Sequence, residues 1–347
     1  MTAQMWGIHN DKLTHELVDQ GFISIGWDGV PNLGSIPNNR ETVKRILSSA
    51  YTEASPRSIS SQAGVVFRFA HVVAINDIVI APDKSNSTIN IGVVTGEYYY
   101  EADAPIHKHR RPVRWVKTGT PRAVFSQAAL YTLGSMLTLF QINRNTEEFL
   151  TVMNSTTDDA DKIAETIDVL RAPIEEADPV DEQEPEQPRA STITQYTRDF
   201  ILDILTSKIT PREFEELSAA LLRAIGYEAR VTQYSQDGGV DVIAHKDPLG
   251  IEPPHIKAQC KQRISTIGAP EVNQLIGTLG NGELCLFFTL GGYSKDAQSI
   301  ERLQPGLRLL TGDDIVDLIM NNYDNLPERW RRTIPLSPVL VVADKAE

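Results

Sequence analysis

The chain has 347 residues, 41% of them hydrophobic, with two cysteines and a net charge of −13. That length calls for two domains, each with its own core; two cysteines in strand-like runs, Cys260 and Cys285, exclude a disulfide scaffold or a cysteine-built zinc fold and fit a reducing compartment. No window nears eighteen consecutive apolar residues, and MTAQMWGIHNDK is not a charged-then-apolar leader, so a cytoplasmic protein with no membrane span is expected.

From Met5 to about Gln141 the sequence reads as short strands, MWGIH, GFISIGWD, DIVIAPD, INIGVVTGEYYY and RPVRWVK, punctuated by Gly and Pro. That is the pattern of a mostly β barrel-like domain, assigned to residues 1–145, with helices inserted at Arg40–Tyr51 and around Ser126–Leu137. Trp6, Trp27, Trp115 and the run Tyr98, Tyr99 and Tyr100 fall in it. Aromatics of this kind ordinarily fill a core, and the alternative is a stacking pocket for a flipped-out base. The basic strip His107, Lys108, His109, Arg110, Arg111 and Arg114 before Trp115 reads either as a solvated loop or as a grip on phosphates.

Thr146–Ala172 is helical in pattern, and PIEEADPVDEQEPEQPR after it has four prolines and almost nothing to bury, so an extended spacer is expected within a connector of residues 146–190. The connector holds 3 basic and 14 acidic side chains, against 14 and 11 in residues 1–145 and 16 and 21 in 191–347. Phosphate contacts need Lys and Arg. With the acidity concentrated in the connector, the net charge does not exclude a nucleic-acid partner.

Residues 191–347 alternate helices and strands, an α/β domain with a mixed sheet flanked by helices. After a short helix, TITQYTRDFILDIL, Thr210, Pro211 and Glu213 give a capping box with Pro at the first helical position. Phe214, Leu217, Leu221 and Ile225 share one face of that helix, leaving Glu215 and Glu216 off the stripe. A turn, SQDGG, leads to a strand, VDVIAH, with Asp241 in its middle, and a second strand, IKAQCK, puts Gln259 and Lys261 two apart on one face. ELCLFFTL is a strand buried on both faces, Ser294 and Thr311 cap later helices, and Gln274 lies on a helix over Pro270–Gly280 as a polar contact near the site.

A carboxylate, an amide oxygen and an ammonium on neighbouring strands suit metal-assisted phosphodiester hydrolysis. Mg²⁺, or Mn²⁺ in its place, takes oxygen ligands and needs one or two protein groups when phosphate and water supply the rest. Asp241, Gln259 and the main-chain carbonyl of Cys260 are the expected metal ligands, and Lys261 the group that orients or deprotonates the attacking water.

FEELSAALLRAIGYEARVTQYSQDGGVDVIA, AQCK, FFTLGGYSKDA and LRLLTGDDIVDLI, in that order, resemble the Mrr-like branch of the PD-(D/E)xK nucleases over roughly residues 212 to 318. The resemblance implies catalytic roles for Asp241, Gln259 and Lys261, with Glu215 assisting the metal; Gln where Glu is commoner removes one negative ligand. The N-terminal pattern resembles that of some restriction-type proteins and, more distantly, PUA-like or EVE-like barrels, a group that includes readers of modified bases. By that analogy Trp27, Asp28, Tyr98 and Trp115 are pocket residues. The expected function is a metal-dependent DNA endonuclease, modification-dependent (type IV-like) in restriction or anti-phage defence. It would act on modified double-stranded DNA as a homodimer or higher oligomer. A ligand-regulated DNA-binding effector and a repair nuclease for branched DNA stay open beside it.

Overall fold

The computed structural model describes residues 3–10, 12–83, 86–135, 137–170, 190–232 and 239–341. The turn residues 235–238 and the spacer PIEEADPVDEQEPEQPR lie outside them. The chain divides into two compact units, Met1–Asp158 with Ile167–Glu175, and Asp159–Thr166 with Glu176–Glu347. Among the described residues no helix is long and apolar enough to cross a membrane.

The strands of the first unit are β1 (Met5–Ile8), β2 (Phe22–Ile25), β3 (Ile78–Asp83), β4 (Thr88–Val94), β5 (Tyr99–Tyr100), β6 (His109–Pro121) and β7 (Leu139–Gln141). Its helices are α1 (Thr14–Gln20), α2 (Arg40–Ala50), α3 (Pro56–His71), α4 (Gln127–Thr132) and α5 (Thr146–Asn154). One sheet runs β2-β6-β4-β3-β1-β7, with β5 beside β6. β6 serves twice: its first residues pair with β2, and the remainder pairs with β4 through register shifts between Ile89 and Gly92. Such irregularities bend a sheet. The result is an open half-barrel where a barrel-like domain was expected, its path ending at β2 and β7.

The helix α3 was not foreseen. Ser55 caps it, accepting from Ser58 N, and Pro56 opens it. Ile59, Ala63, Val66 and Phe69 then recur every three or four residues and pack with Val43 and Leu47 of α2 against Trp6, Ile23, Val79 and Val94 of the sheet. Trp6 is core, and its indole N–H donates to buried Asp77 at 2.8 Å.

One helix was expected over Thr146–Ala172. Instead α5 stops at Asn154 and α6 (Ala160–Leu170) begins anew. The second unit continues with α7 (Ala190–Ser207), α8 (Pro211–Ala224), β8 (Glu228–Val231), β9 (Val242–His245), β10 (His255–Lys261) and α9 (Ala269–Ile276). It ends with β11 (Leu284–Thr289), α10 (Lys295–Leu303), β12 (Leu307–Leu310), α11 (Gly312–Asn321) and α12 (Glu328–Thr333). The sheet order is β12-β11-β10-β9-β8, with the β10–β11 and β11–β12 pairs parallel and the others antiparallel.

Two apolar layers sandwich that sheet. Ile256, Ala258 and Cys260 of β10 join Phe214, Leu217 and Leu221 of α8 and Ile315 of α11 in one layer. Phe287 and Cys285 of β11 join Val272 and Leu275 of α9 in the other, while Phe288 enters the first, so β11 is buried on both faces as its unbroken apolar run requires. The tail covers this core: Trp330 is buried in the first layer, and Arg329 bonds Glu213 at 2.9 Å and Glu216 at 2.6 Å.

Candidate active site

Asp241 stands just ahead of β9, not in the middle of a strand. Its N–H donates to the carbonyl of Ala258, the residue already paired with Val242, so the ladder slips a step and the strand stops. The side chain then reaches across the sheet end, where its Oδ2 accepts from Cys260 N at 2.7 Å. Thr232 holds the main chain behind it: Thr232 N donates to Asp241 O at 2.9 Å and Thr232 Oγ1 to Val240 O at 2.8 Å. The carboxylate is thereby fixed over the residue that separates Gln259 from Lys261.

Gln259 and Lys261 alternate along β10 with Ala258 and Cys260, which belong to the layer under α8, so the amide and the ammonium share the other face. Gln259 is buried, and among the described residues its Oε1 has no donor. Its Nε2 lies 2.8 Å from where a Cβ on residue 239 would sit, and Gly239 has φ +88°. Only glycine combines that backbone with that contact.

Glu215 reaches the cluster from the first turns of α8, and Glu216 does not, being taken by Arg329. Sequence reasoning missed the partner of Glu215. Arg212 Nη1 donates to Glu215 Oε2 at 2.7 Å and to Thr232 O at 3.1 Å, tying the helix start to the segment that carries Asp241. The signal was available as an Arg three residues before the Glu in the first helical turn.

The electrostatics follow from this crowding. Burial raises the Asp241 carboxyl above its ordinary value, opposed by the Cys260 N–H and by the positive charges of Lys261 and Arg212. Burial also raises Glu215, opposed by the Arg212 hydrogen bond and reinforced by the negative charge of Asp241. Cys260 contributes only main chain here, since burial pushes its thiol far up and keeps it a neutral core group.

A divalent cation fits this donor set. A buried amide oxygen with no donor among the described residues, one residue along β10 from the N–H that holds Asp241, together with two neighbouring carboxylates whose charge burial disfavours, is a donor set that a hard cation relieves. Among the described residues no three His, Cys, Asp or Glu side chains gather at one point. An ion would therefore rest on Asp241, Glu215 and the Gln259 and main-chain oxygens, with substrate oxygens completing its shell.

The other predicted residues fare unevenly. Trp27, Asp28 and Tyr98 do come together around the start of β6. Asp28 accepts from the N–H groups of His107 and Lys108 at 3.0 and 2.8 Å. The Tyr98 hydroxyl accepts from Leu33 N at 3.1 Å and is bonded to His109 Nδ1 at 2.8 Å, and burial pushes it up to about 12. Trp27 has φ 64° and donates its indole N–H to Gln62 at 3.0 Å. Their polar atoms thus brace the fold.

Trp115 packs on the same core as Trp27 and Tyr98 and also on Leu13, Leu17 and Phe22, and bonds Leu17 O at 2.8 Å. Arg111 fits neither reading of the basic strip, the solvated loop or the grip on phosphates. It is buried, and its guanidinium closes the end of α3 through Phe69 O at 2.6 Å and Ala70 O at 2.9 Å. Arg110 bonds His107 O at 3.0 Å and lies over the Phe22 ring. Gln274 is on the exposed face of α9.

A five-stranded mixed sheet between helices, with carboxylates, an amide and a lysine at one end, is the make-up of an α/β nuclease domain. Residues 206–319 match the family Mrr_cat, described as restriction endonuclease, and the C-terminal unit carries an Mrr-like restriction endonuclease domain. Residues 4–143 match a domain of unknown function, DUF8426. Over 129 residues the chain is 26% identical to the type IV methyl-directed restriction enzyme EcoKMrr of Escherichia coli (strain K12), covering 35% of this chain and 42% of that enzyme. It thus spans about two fifths of the relative's length. Among solved structures, MspJI restriction endonuclease in complex with a 27-mer oligonucleotide aligns at TM-score 0.31 and 15% identity, over 99% of this chain and 82% of that one. The DNA modification-dependent restriction endonuclease AspBHI aligns at TM-score 0.33 and 16% identity, over 81% and 75%. Both structural likenesses are distant.

Proposed function

We propose that the chain is a divalent-metal-dependent DNA endonuclease of type IV-like, modification-dependent restriction, using Mg²⁺ or Mn²⁺ on modified double-stranded DNA in the cytoplasm. The C-terminal unit cuts and the N-terminal unit selects the DNA. The observation that carries this reading is the buried Gln259 Oε1, without a donor among the described residues, next along β10 to the Cys260 N–H that holds the Asp241 carboxylate, within residues that match the restriction endonuclease family.

Asp241, the Gln259 Oε1 and the Cys260 carbonyl would hold the ion, with Glu215 supporting it from α8. The bound ion supplies Lewis-acid stabilisation of negative charge on the scissile phosphate. The Cys260 N–H keeps the Asp241 carboxylate aimed at the sheet end. Lys261 orients the attacking water, takes part in its deprotonation and offsets charge building on the phosphate oxygens. One such site cuts one strand, so double-strand cleavage requires a homodimer or higher oligomer.

Stripped of metal and then given Mg²⁺ or Mn²⁺, the protein should cleave modified DNA and spare the same sequence unmodified. Asp241→Ala and Lys261→Ala should each reduce the rate by about 10²-fold or more. Equal cutting by these variants would remove the site assignment, and equal cutting of both DNAs would remove modification dependence.

A further inference from the structure

In the first unit, Arg68 of α3 is half-buried, and among the described residues its guanidinium has neither a hydrogen bond nor an ion pair. Its charged neighbour is another arginine, Arg40, which together with burial depresses its basicity. Both close on the same glycine: a Cβ on residue 64 would lie 3.4 Å from Arg40 Nη2 and 3.6 Å from Arg68 Nη1. Arg40 donates to Ser60 O at 3.2 Å, which places its guanidinium without neutralising it. It is also the first residue of α2, where the helix dipole adds positive potential. Lys44, four residues on, shares that helix face. Glu41 is exposed and, among the described residues, forms no ion pair with either arginine.

Arg68 gives up part of its hydration while the exposed Arg40 stands close by with no acid between them, so the pair is costly through lost hydration at Arg68 and through mutual repulsion. An anion between the two would supply the missing charge. A phosphate group matches the need, since its oxygens accept from both planar forks at once. We infer that Arg40 and Arg68 form a phosphate site by which the N-terminal unit holds a backbone phosphate of its DNA, well removed in sequence from the residues that cut. This rests on the reading of the chain as a DNA endonuclease, which makes a DNA phosphodiester the relevant phosphate and a free phosphate compound the competing source.

The test uses the full-length protein in EDTA, a short labelled duplex and a series of salt concentrations, with Arg40→Gln, Arg68→Gln and the double variant. Each substitution should weaken binding several-fold and lower the slope of log affinity against log salt by about one. Without DNA, the unfolding temperature should stay level or rise, because the repulsion is gone. Arg68→Lys keeps the charge, and should keep most of the slope, which separates a lost contact from a damaged fold. Asp241→Asn should lose cleavage and keep duplex affinity. A double variant with wild-type affinity and slope overturns the phosphate site and leaves the nuclease reading standing. So does a double variant that loses inorganic pyrophosphate binding while its duplex affinity is unchanged, since the pair then serves a free anion. Wild-type protein without duplex affinity at low salt overturns the DNA reading itself, and the phosphate site with it.

Discussion

Asp241 and Glu215 hold their protons more tightly in the folded protein than ordinary carboxylates do. The folded state therefore binds more protons than the unfolded one, and the metal-free protein loses stability as pH rises from the ordinary carboxylate range through the raised folded values. Above that window both groups are charged and the site is strained by its own acids, which a divalent cation relieves. Asp241→Asn should thus abolish cleavage yet leave the metal-free protein at neutral pH as stable as wild type or more so, with a flatter dependence on pH. Melting curves across a pH series decide it; a marked fall in unfolding temperature would show that the charge, not the Cys260 contact, supports the fold. Gly239 makes the complementary case. An alanine there would face a left-handed backbone, costing about 1–2 kcal/mol, and would press on Gln259 Nε2. Gly239→Ala should weaken Mn²⁺ binding measured by calorimetry while unfolding shifts modestly; unchanged Mn²⁺ affinity would mean that Gln259 is not a ligand.

At the scale of elements, what could be read in advance was what local chemistry dictates. Thr210, Pro211 and Glu213 announce α8, and the structure has the reciprocal bonds: Glu213 N to Thr210 Oγ1 at 3.3 Å and Thr210 N to Glu213 Oε2 at 2.9 Å. The apolar run of β11 announces a strand covered on both sides, and the alternation in IKAQCK puts Gln259 and Lys261 together. Two things were hidden. The helix α3 carries its start signal in Ser55 and Pro56, but GVVFRF within it has the β-branched and aromatic content of a strand, and packing on α2 decided the matter. The position of Asp241 depends on a slip between strands, which no single-strand pattern encodes. Because α8 presents Arg212 and Glu215 within its first turns, its cap bears on the site. Thr210→Ala should cost about 0.5–2 kcal/mol in urea unfolding and lower metal affinity as the first turn loosens. Loss of stability with metal affinity intact would show that Arg212 alone keeps Glu215 in place.

For the molecule as a whole, the C-terminal unit reaches further back along the chain than its composition suggests. The acidic connector made residue 191 the natural start of the nuclease domain, yet Asp159–Thr166 belongs to the same compact unit. Asp161 in the first turn of α6 accepts from Ile264 N at 2.8 Å and Ser265 N at 3.3 Å, and Ile163 is buried. Those two N–H groups lie three and four residues past the end of β10, so the connector helix braces the loop that leaves Lys261. A hydrogen bond to a carboxylate contributes about 1.5–3 kcal/mol, and solvent access to Asp161 places the gain toward the lower end. A fragment of residues 155–347 should accordingly melt above one of residues 191–347, and Asp161→Ala in the longer fragment should remove most of the difference. If the two fragments melt together, residues 159–166 are a passive tether, and the nuclease begins where the charge pattern puts it. If they differ as expected, the acidic connector does more than space two domains, because one of its own carboxylates holds the loop that leaves β10.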